Sequence, residues 1–399
     1  NDVVLTLVAG ATPDFTPIAG NANQAGAANA LADFDYSTKE GTQLKDALTG
    51  MTKEQAEQAL GQIAGQDHDA SLGLGSALSQ AFRSMSMNRG RGGNRRSGSR
   101  LFGYAAEAVD ETPAANPENA PSSFWVKTFA ARSTVDGPSD ISSNGAGIAI
   151  GAETGGLSAD WTHGVSAGYA AANFDTATPG SSSTSDNYHF GFYSFAGATD
   201  STQTGWGFSG AVGYSYHRYD SRRALPLNLV AAADYDGYTI NGGMKARFGM
   251  KSPDVAGPFV WAPIVAVDFS HSRNNGFGET GAGPLNITAS AYETNQYGTA
   301  IGVEFSRQAL LGSTPVTTLF SIGWHHEFGD TKQSNTYLLQ GSPTAFLVSS
   351  PEEARDRLQL EASADFATSI NSLFSLAAQS ELSETSVQYG GAMTFKMSF

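Results

Sequence analysis

The chain has 399 residues, a net charge of −15, 40% apolar and 15% charged residues, 46 glycines and no cysteine. The missing cysteines exclude disulfides, thiolate metal sites and cysteine nucleophiles, and the acidic balance argues against general nucleic-acid binding. No run approaches the ~18 uninterrupted apolar residues of a membrane helix, so a chain this rich in glycine and aromatics points instead to an all-β transmembrane barrel, whose lipid-facing side chains are diluted by lumenal ones at every second position.

Asn1-Asp2-Val3-Val4 carries no basic signal region, which for an envelope protein predicts a mature chain or the C-terminal part of something longer. Residues 1–20 read as an extended start and residues 21–87 as helices. Leu44, Ala47, Leu48 and Met51 recur at helical spacing. Thr52 stands three residues before Gln55, a capping box that opens a helix through Leu60 and Ile63. Leu74, Leu78, Phe82 and Met85 form the stripe of a further helix. Residues 88–122 form a linker, basic and glycine-rich from Arg89 to Arg100, then punctuated by Pro113, Pro117 and Pro121.

From Phe124 onward the pattern alternates. Phe399, Met397, Phe395, Met393, Tyr389 and Val387 share one face, opposed by Ser398, Lys396, Thr394, Ala392 and Gln388. Such a split needs lipid on one side and water or protein on the other. The same period marks about twelve antiparallel strands across residues 123–399, starting near Phe124, Asn144, Asp160, Ser185, Gly205, Ala233, Phe259, Ala291, Pro315, Arg355, Ser372 and Ser386. The even-numbered connections are mostly tight. Connections one, three, five, seven and nine read as long and the eleventh as short, which puts both barrel ends at the periplasmic edge. A soluble sandwich is disfavoured, because its strands average ~5–6 residues and so many exposed aromatic faces would aggregate in water.

Helices, a linker, twelve strands and a terminal Phe399, in that order, resemble the translocator β-domain of monomeric type V autotransporters. Asn23-Gln24 with Ala30-Leu31, Gln58-Ala59-Leu60 and His68-Asp69-Ala70-Ser71 look like that family's pre-barrel helical segment. Phe124-Trp125-Val126-Lys127 looks like its first strand, and Phe346, Val348, Pro351, Arg355 and Asp356, with the alternating run to Phe399, like its last three. Thr394 stands where the family's assembly signal often has a glycine, and about 35 residues separate the Leu74–Met85 helix from Phe124. The resemblance implies a multi-pass protein of the bacterial outer membrane that exports and anchors a passenger at the cell surface, with residues 1–20 as the passenger's end and part of the pre-barrel segment plugging the lumen. It also implies, as partners, the passenger itself, outer-membrane lipid or lipopolysaccharide, and the barrel-assembly machinery reading Phe395, Met397 and Phe399. A porin or solute channel, or a barrel hydrolase, is the alternative.

Alternation assigns Lys245, Arg247, Arg357, Glu361, Asp365 and Lys396 to the lumen. The Arg89–Arg100 stretch either neutralises lumenal Glu361, Asp365 and Glu381 or is a solvated linker. Its Arg-Gly repeats lack the interleaved aromatics of an RNA-binding tract. No cofactor or metal is expected. Gly164-Val165-Ser166-Ala167-Gly168 matches a nucleophile elbow but falls inside a strand rather than at a strand-to-helix turn. His325 and His326 are adjacent strand residues and point to opposite faces. The expectation is therefore no enzyme. The resemblance also implies that lumenal self-cleavage is open, with Asp268, Glu361 or Asp365 acting at Asn88 or Asn94, and ion pairing explains those carboxylates equally well.

Overall fold

Every second residue from Ser123 onward does turn to the opposite side of one continuous antiparallel sheet. The computed structural model describes residues 13–88, 122–135, 141–155, 161–176, 181–252 and 259–399. Its strands are β1 (Ser123–Val135), β2 (Ile141–Gly155), β3 (Trp161–Thr176), β4 (Ser182–Gly197), β5 (Gly205–Leu225), β6 (Leu229–Lys251), β7 (Phe259–Asn274), β8 (Phe277–Gly278), β9 (Ile287–Ala289), β10 (Tyr292–Leu311), β11 (Thr314–Glu327), β12 (Ser334–Leu339), β13 (Ala345–Ser349), β14 (Asp356–Ala367), β15 (Ser372–Leu382) and β16 (Ser386–Ser398). Twelve of them, β1–β7, β10, β11 and β14–β16, close into a barrel when β1 pairs with β16, from Ser123↔Ser398 to Val135↔Ser386. Closure leaves the barrel no unpaired edge, the condition for crossing lipid with strands.

The outward rows are greasy and uncovered: Trp206, Phe208, Val212 and Tyr214 on β5, Phe190 and Phe192 on β4, and Tyr389, Met393, Phe395 and Met397 on β16 are all exposed. The inward rows of the same strands carry Ser209, Ser215, His217, Asn187, His189 and Lys396, all buried. Such an inside-out distribution is stable only with hydrocarbon around the barrel.

One expectation about loops changes. The fifth connection is not long: β5 and β6 run on for 21 and 23 residues and turn at Pro226–Asn228. Leu227 and Asn228 there have φ of 64° and 58°, two consecutive left-handed residues of the kind that match hairpin twist. The first and third connections are also short, because β1 and β2 reach Val135 and Ile141, and β3 and β4 reach Thr176 and Ser182. Residues read as loop thus extend the strands beyond the bilayer. The seventh and ninth are long, and they hold a separate four-stranded sheet in the order β13-β12-β9-β8. Phe346 and Val348 belong to that sheet and not to the barrel wall.

Among the described residues there are four α-helices: α1 (Ala22–Ala32), α2 (Lys39–Thr49), α3 (Lys53–Ala64) and α4 (Gln66–Met87). Asn21, Thr38 and Thr52 each cap a helix by accepting from a first-turn backbone N–H, and Thr52 and Gln55 complete the capping box. Gly65, at φ 72°, ends α3, and a Cβ there would lie 2.6 Å from Ile287 Cδ1. Two constraints therefore select glycine, a left-handed backbone and a close approach. Helices α1–α3 and the small sheet share one core outside the barrel's external mouth, built from Phe15, Leu31, Leu44, Leu48, Leu60 and Ile63 against Tyr219, Tyr235, Phe277, Ile287, Tyr337 and Phe346. Asn23 covers the edge of β13, donating to Ser349 O at 2.8 Å and accepting from Ser349 N–H at 2.9 Å, so this edge is also closed.

Candidate functional site: a plugged lumen

Helix α4 passes from this surface cap into the barrel. Its 22 residues rise ~33 Å, enough to traverse a barrel of membrane height. It is not a membrane helix: no helix among the described residues is long and apolar enough to cross a bilayer. Its polar side chains find partners on the inner wall. Ser79 Oγ lies 3.4 Å from His217 Nε2, Ser86 Oγ lies 3.3 Å from Ser166 Oγ, and Gln80 donates to Gln296 at 3.0 Å. Arg83 meets Asp268 at 3.1 Å and donates to the carbonyl of Gly242. At the inner end Lys245 donates to Asn88 Oδ1 at 2.7 Å.

Apolar residues seal the same side. Phe82 stacks on His189 with centroids 4.8 Å apart, above Gly168, where a Cβ would come within 2.6 Å of the ring. Leu78 and Met85 pack with Phe129, Ala170 and Ala172. Most of the contact falls on β2–β7, with Phe129 of β1 and Gln296 of β10 at its margins. The opposite wall stands back, leaving a cavity of about 340 Å³ lined by Gln80 and Arg83 of the helix and by Glu361, Gln379, Glu381 and Gln388 of the wall.

The periplasmic mouth is narrowed separately. Arg247 and Lys245 pair with Glu304 at 3.3 and 3.7 Å. Arg247 also donates to the carbonyls of Ala198, Asp200 and Gln203, drawing the β4–β5 turn under the lumen. Lys396 pairs with Glu153 at 2.8 Å. Glu153 in turn accepts from Ser123 and Tyr193, and Trp125 donates to Tyr193 at 2.7 Å. Lys245, Arg247, Arg357 and Lys396 are thus buried with inward partners, Arg357 through Glu381 and Glu353. Glu361 lines the cavity, and Asp365 lies on the same inward row of β14. Phe395, Met397 and Phe399 are exposed on the outer surface. Ser166 lies in mid-strand facing α4, His325 faces inward to Asp268, and His326 faces outward to Asp356. Of the self-cleavage residues, Asp268 is engaged by Arg83 and His325 and Asn88 by Lys245. Asn94 and the Arg89–Arg100 stretch lie outside the described residues.

The sequence did not reveal the cluster where α4 leaves the cap. Arg223 uses all five guanidinium donors: two on Glu279 at 2.8 and 2.5 Å, two on the Gln62 and Ile63 carbonyls that end α3, and one on Leu285 O. Glu279 fills its remaining acceptor positions with His68 Nε2 at 2.7 Å and Ile287 N–H at 2.6 Å. Ser221 Oγ lies 3.1 Å from His68 Nδ1. Ser221, His68 and Glu279 so reproduce the order of a hydrolase triad, but all three are buried and Glu279 is neutralised by Arg223, so no substrate carbonyl can reach the hydroxyl. Burial would raise the Glu279 carboxyl, but the charge and hydrogen bonds of Arg223, with the bond from His68, outweigh it and hold the group at about 2 against an ordinary 4.5. A lowered folded-state value means a stabilisation complete above pH 4.5 and lost as pH falls toward 2. The thermal transition of the cap is therefore expected to be level between pH 7 and 5 and to fall below pH 4.5, with Glu279→Gln abolishing that acid slope; calorimetry across this range checks it.

A twelve-stranded, helix-plugged barrel with greasy outer rows is a membrane-embedded conduit closed by its own chain. Residues 124–379, more than half of the protein, match the family described as autotransporter beta-domain, and the chain belongs to that family. Among curated proteins it is similar to an extracellular serine protease of Serratia marcescens, 24% identical over 238 residues that make up 59% of this chain and 22% of that protein. The chain thus spans less than a quarter of that relative's length. Among solved structures it is similar to the translocator domain of the autotransporter NalP from Neisseria meningitidis (TM-score 0.56, 11% identity, 70% of this chain and 89% of that one). It is also similar to the transport unit of AIDA-I from Escherichia coli (TM-score 0.55, 16% identity, 72% and 93%). The barrel is an outer-membrane translocator.

Proposed function

We propose that this barrel exports a passenger lying N-terminal to the cap and then retains α4 as a plug, with α1–α3 and the β8–β9–β12–β13 sheet closing the external mouth. One observation carries this reading: α4 enters from the cap at His68 and ends at the opposite mouth beside Lys245, so the polypeptide ahead of it stands on the outer side. The passenger is the principal partner. Phe395, Met397 and Phe399, exposed on the last strand, supply the aromatic face for the barrel-assembly machinery, and lipid covers the outer rows. The barrel works as a conduit and anchor and not as a catalyst; the passenger's own activity lies with the passenger. A solute channel would need a clear lumen, which α4 denies.

An epitope inserted at Gly20, ahead of α1, tests the reading. Antibody is expected to label intact cells. Labelling only after the outer membrane is broken would overturn it.

A further inference from the structure

We propose that the Arg223–Glu279–His68 cluster, with Gly65 beneath Ile287, is the register stop of the plug: it decides which residues of the chain come to rest inside the barrel. The proposal takes from the export reading only the reason that register matters.

The lumenal contacts of α4 constrain its register only in part. Leu78, Phe82 and Met85 recur about once per turn, and the small residues Gly75, Ser79 and Ser86 face the wall at one- and two-turn spacings. A slide of one turn, ~5.4 Å, would bring Leu78 or Met85 to the place of Phe82, but also Phe82 or Arg83 to the place of Ser79 or Ser86. Arg83, which reaches Asp268 beside the open cavity, has a long side chain able to follow such a slide.

The cluster has no such repeat. Arg223 and Glu279 belong to β5 and to the loop after β8, so both stay with the barrel. What a slide removes are the Gln62 and Ile63 carbonyls from the Arg223 Nη1 group and the His68 imidazole from Glu279. These polar atoms would then be stranded in a site where Arg223 is 1% and His68 1% exposed; buried donors and acceptors left without partners are strongly penalised. Sterics act in the same direction. Ile287 Cδ1 would lie 2.6 Å from a Cβ at position 65, so neither Gln62 nor His68, each three residues away, fits the place of Gly65. The cluster also sits where α3 has ended and α4 has begun, so it assembles only when that junction has reached the external mouth.

The absence of native cysteine allows a direct test. Ser86→Cys with Ser166→Cys, whose hydroxyls lie 3.3 Å apart near the inner end of α4, reports register far from the cluster. In the refolded full chain under mild oxidant this pair is expected to cross-link readily. Arg223→Gln or Glu279→Gln is expected to slow cross-linking at least about tenfold, the factor set by losing one hydrogen bond to a charged group. Arg223→Lys should recover part of the rate, and Lys245→Gln, which weakens contacts to Asn88 and Glu304 at the far end of the helix and leaves the cluster intact, should leave it unchanged. Heat-modifiable gel mobility shows whether each barrel has folded; if Arg223→Gln does not fold, Glu279→Gln decides. Wild-type cross-linking in the folded cluster variants overturns the proposal, as does an equal loss in Lys245→Gln. Either result leaves the export reading intact, because that reading is tested by the Gly20 epitope in a chain with an unaltered cluster.

Discussion

Removing residues 66–87 is expected to turn a nearly closed barrel into a steady conductor, with single-channel current rising about tenfold or more, since a twelve-stranded lumen is wide enough to conduct unless filled. The effect is large because α4 is the main obstruction along the axis. Among the described residues it covers most of β2–β7 with Leu78, Phe82 and Met85 and leaves a Gln- and Glu-lined crescent open. The intact chain should pass a small current through that crescent. Replacing Phe82 alone by Ala should raise the current modestly, because Arg83 and Gln80 still hold the helix to Asp268 and Gln296. Planar-bilayer recordings on the two variants, each first shown to be heat-modifiable, check both outcomes. A silent deletion variant would mean that the β4–β5 turn beneath the lumen is itself a sufficient gate.

The second large effect is expected at Glu304. This carboxylate is buried between Arg247 and Lys245, with 1% of its side chain exposed. Glu304→Ala removes the carboxylate that pairs with both cations, a change that costs about 3–5 kcal/mol in comparable buried pairs. Arg247 keeps its carbonyl partners on the β4–β5 turn, which places the expected loss at the lower end of that range. Urea unfolding in lipid vesicles should show the shift. Adding Lys245→Met to Glu304→Ala should recover part of it by removing one of the two like charges. Recovery would identify like-charge repulsion, and not lost packing, as the cause.

The barrel was legible in the sequence because its signal is repeated. Trp206, Phe208, Val212 and Tyr214 on one side and Ser209, Gly213 and Ser215 on the other declare a strand, and eleven further runs do the same. Its upper limits were misjudged at β5 and β6. Beyond Tyr216 and Tyr238 the outward row turns polar, with Arg218, Asp220, Arg222, Asp236 and Asp234, so alternation of apolar with polar ends at the lipid surface although the hydrogen-bonded ladder continues from Arg218↔Asp236 to Leu225↔Leu229. Hydrophobic period reports the bilayer and not the strand. The small sheet was missed for another reason: β8 and β9 have two and three residues, too few for any period to register, and they are strands only because the cap helices cover one face of the sheet.

Within the lumen, alternation located Lys245, Arg247, Arg357 and Lys396 on the inward rows but could not say what they meet. Glu153, Glu304 and Glu353 pair with them from other parts of the chain. The Arg223 cluster was hidden more deeply. Its members stand at 68, 223 and 279, and Arg223 follows Arg222 as though both belonged to one solvated run. The one clue was parity: Arg223 shares the inward row of His217, Tyr219 and Ser221, where an unpaired guanidinium has no place, so a partner arriving from elsewhere could have been inferred though not named.

The one-sided seating of α4 divides the wall into unlike halves. On the β2–β7 arc the backbone is backed by dry, interlocked side chains, and amide protons there can reach deuterium only if the helix moves away. On β14 and β15, the shortest barrel strands at 12 and 11 residues, the inner surface faces the cavity instead of the helix and amphipathic rows alone sustain the ladder. Isotope exchange should accordingly run fastest along that arc, making the cylinder stiff on one flank and compliant on the other.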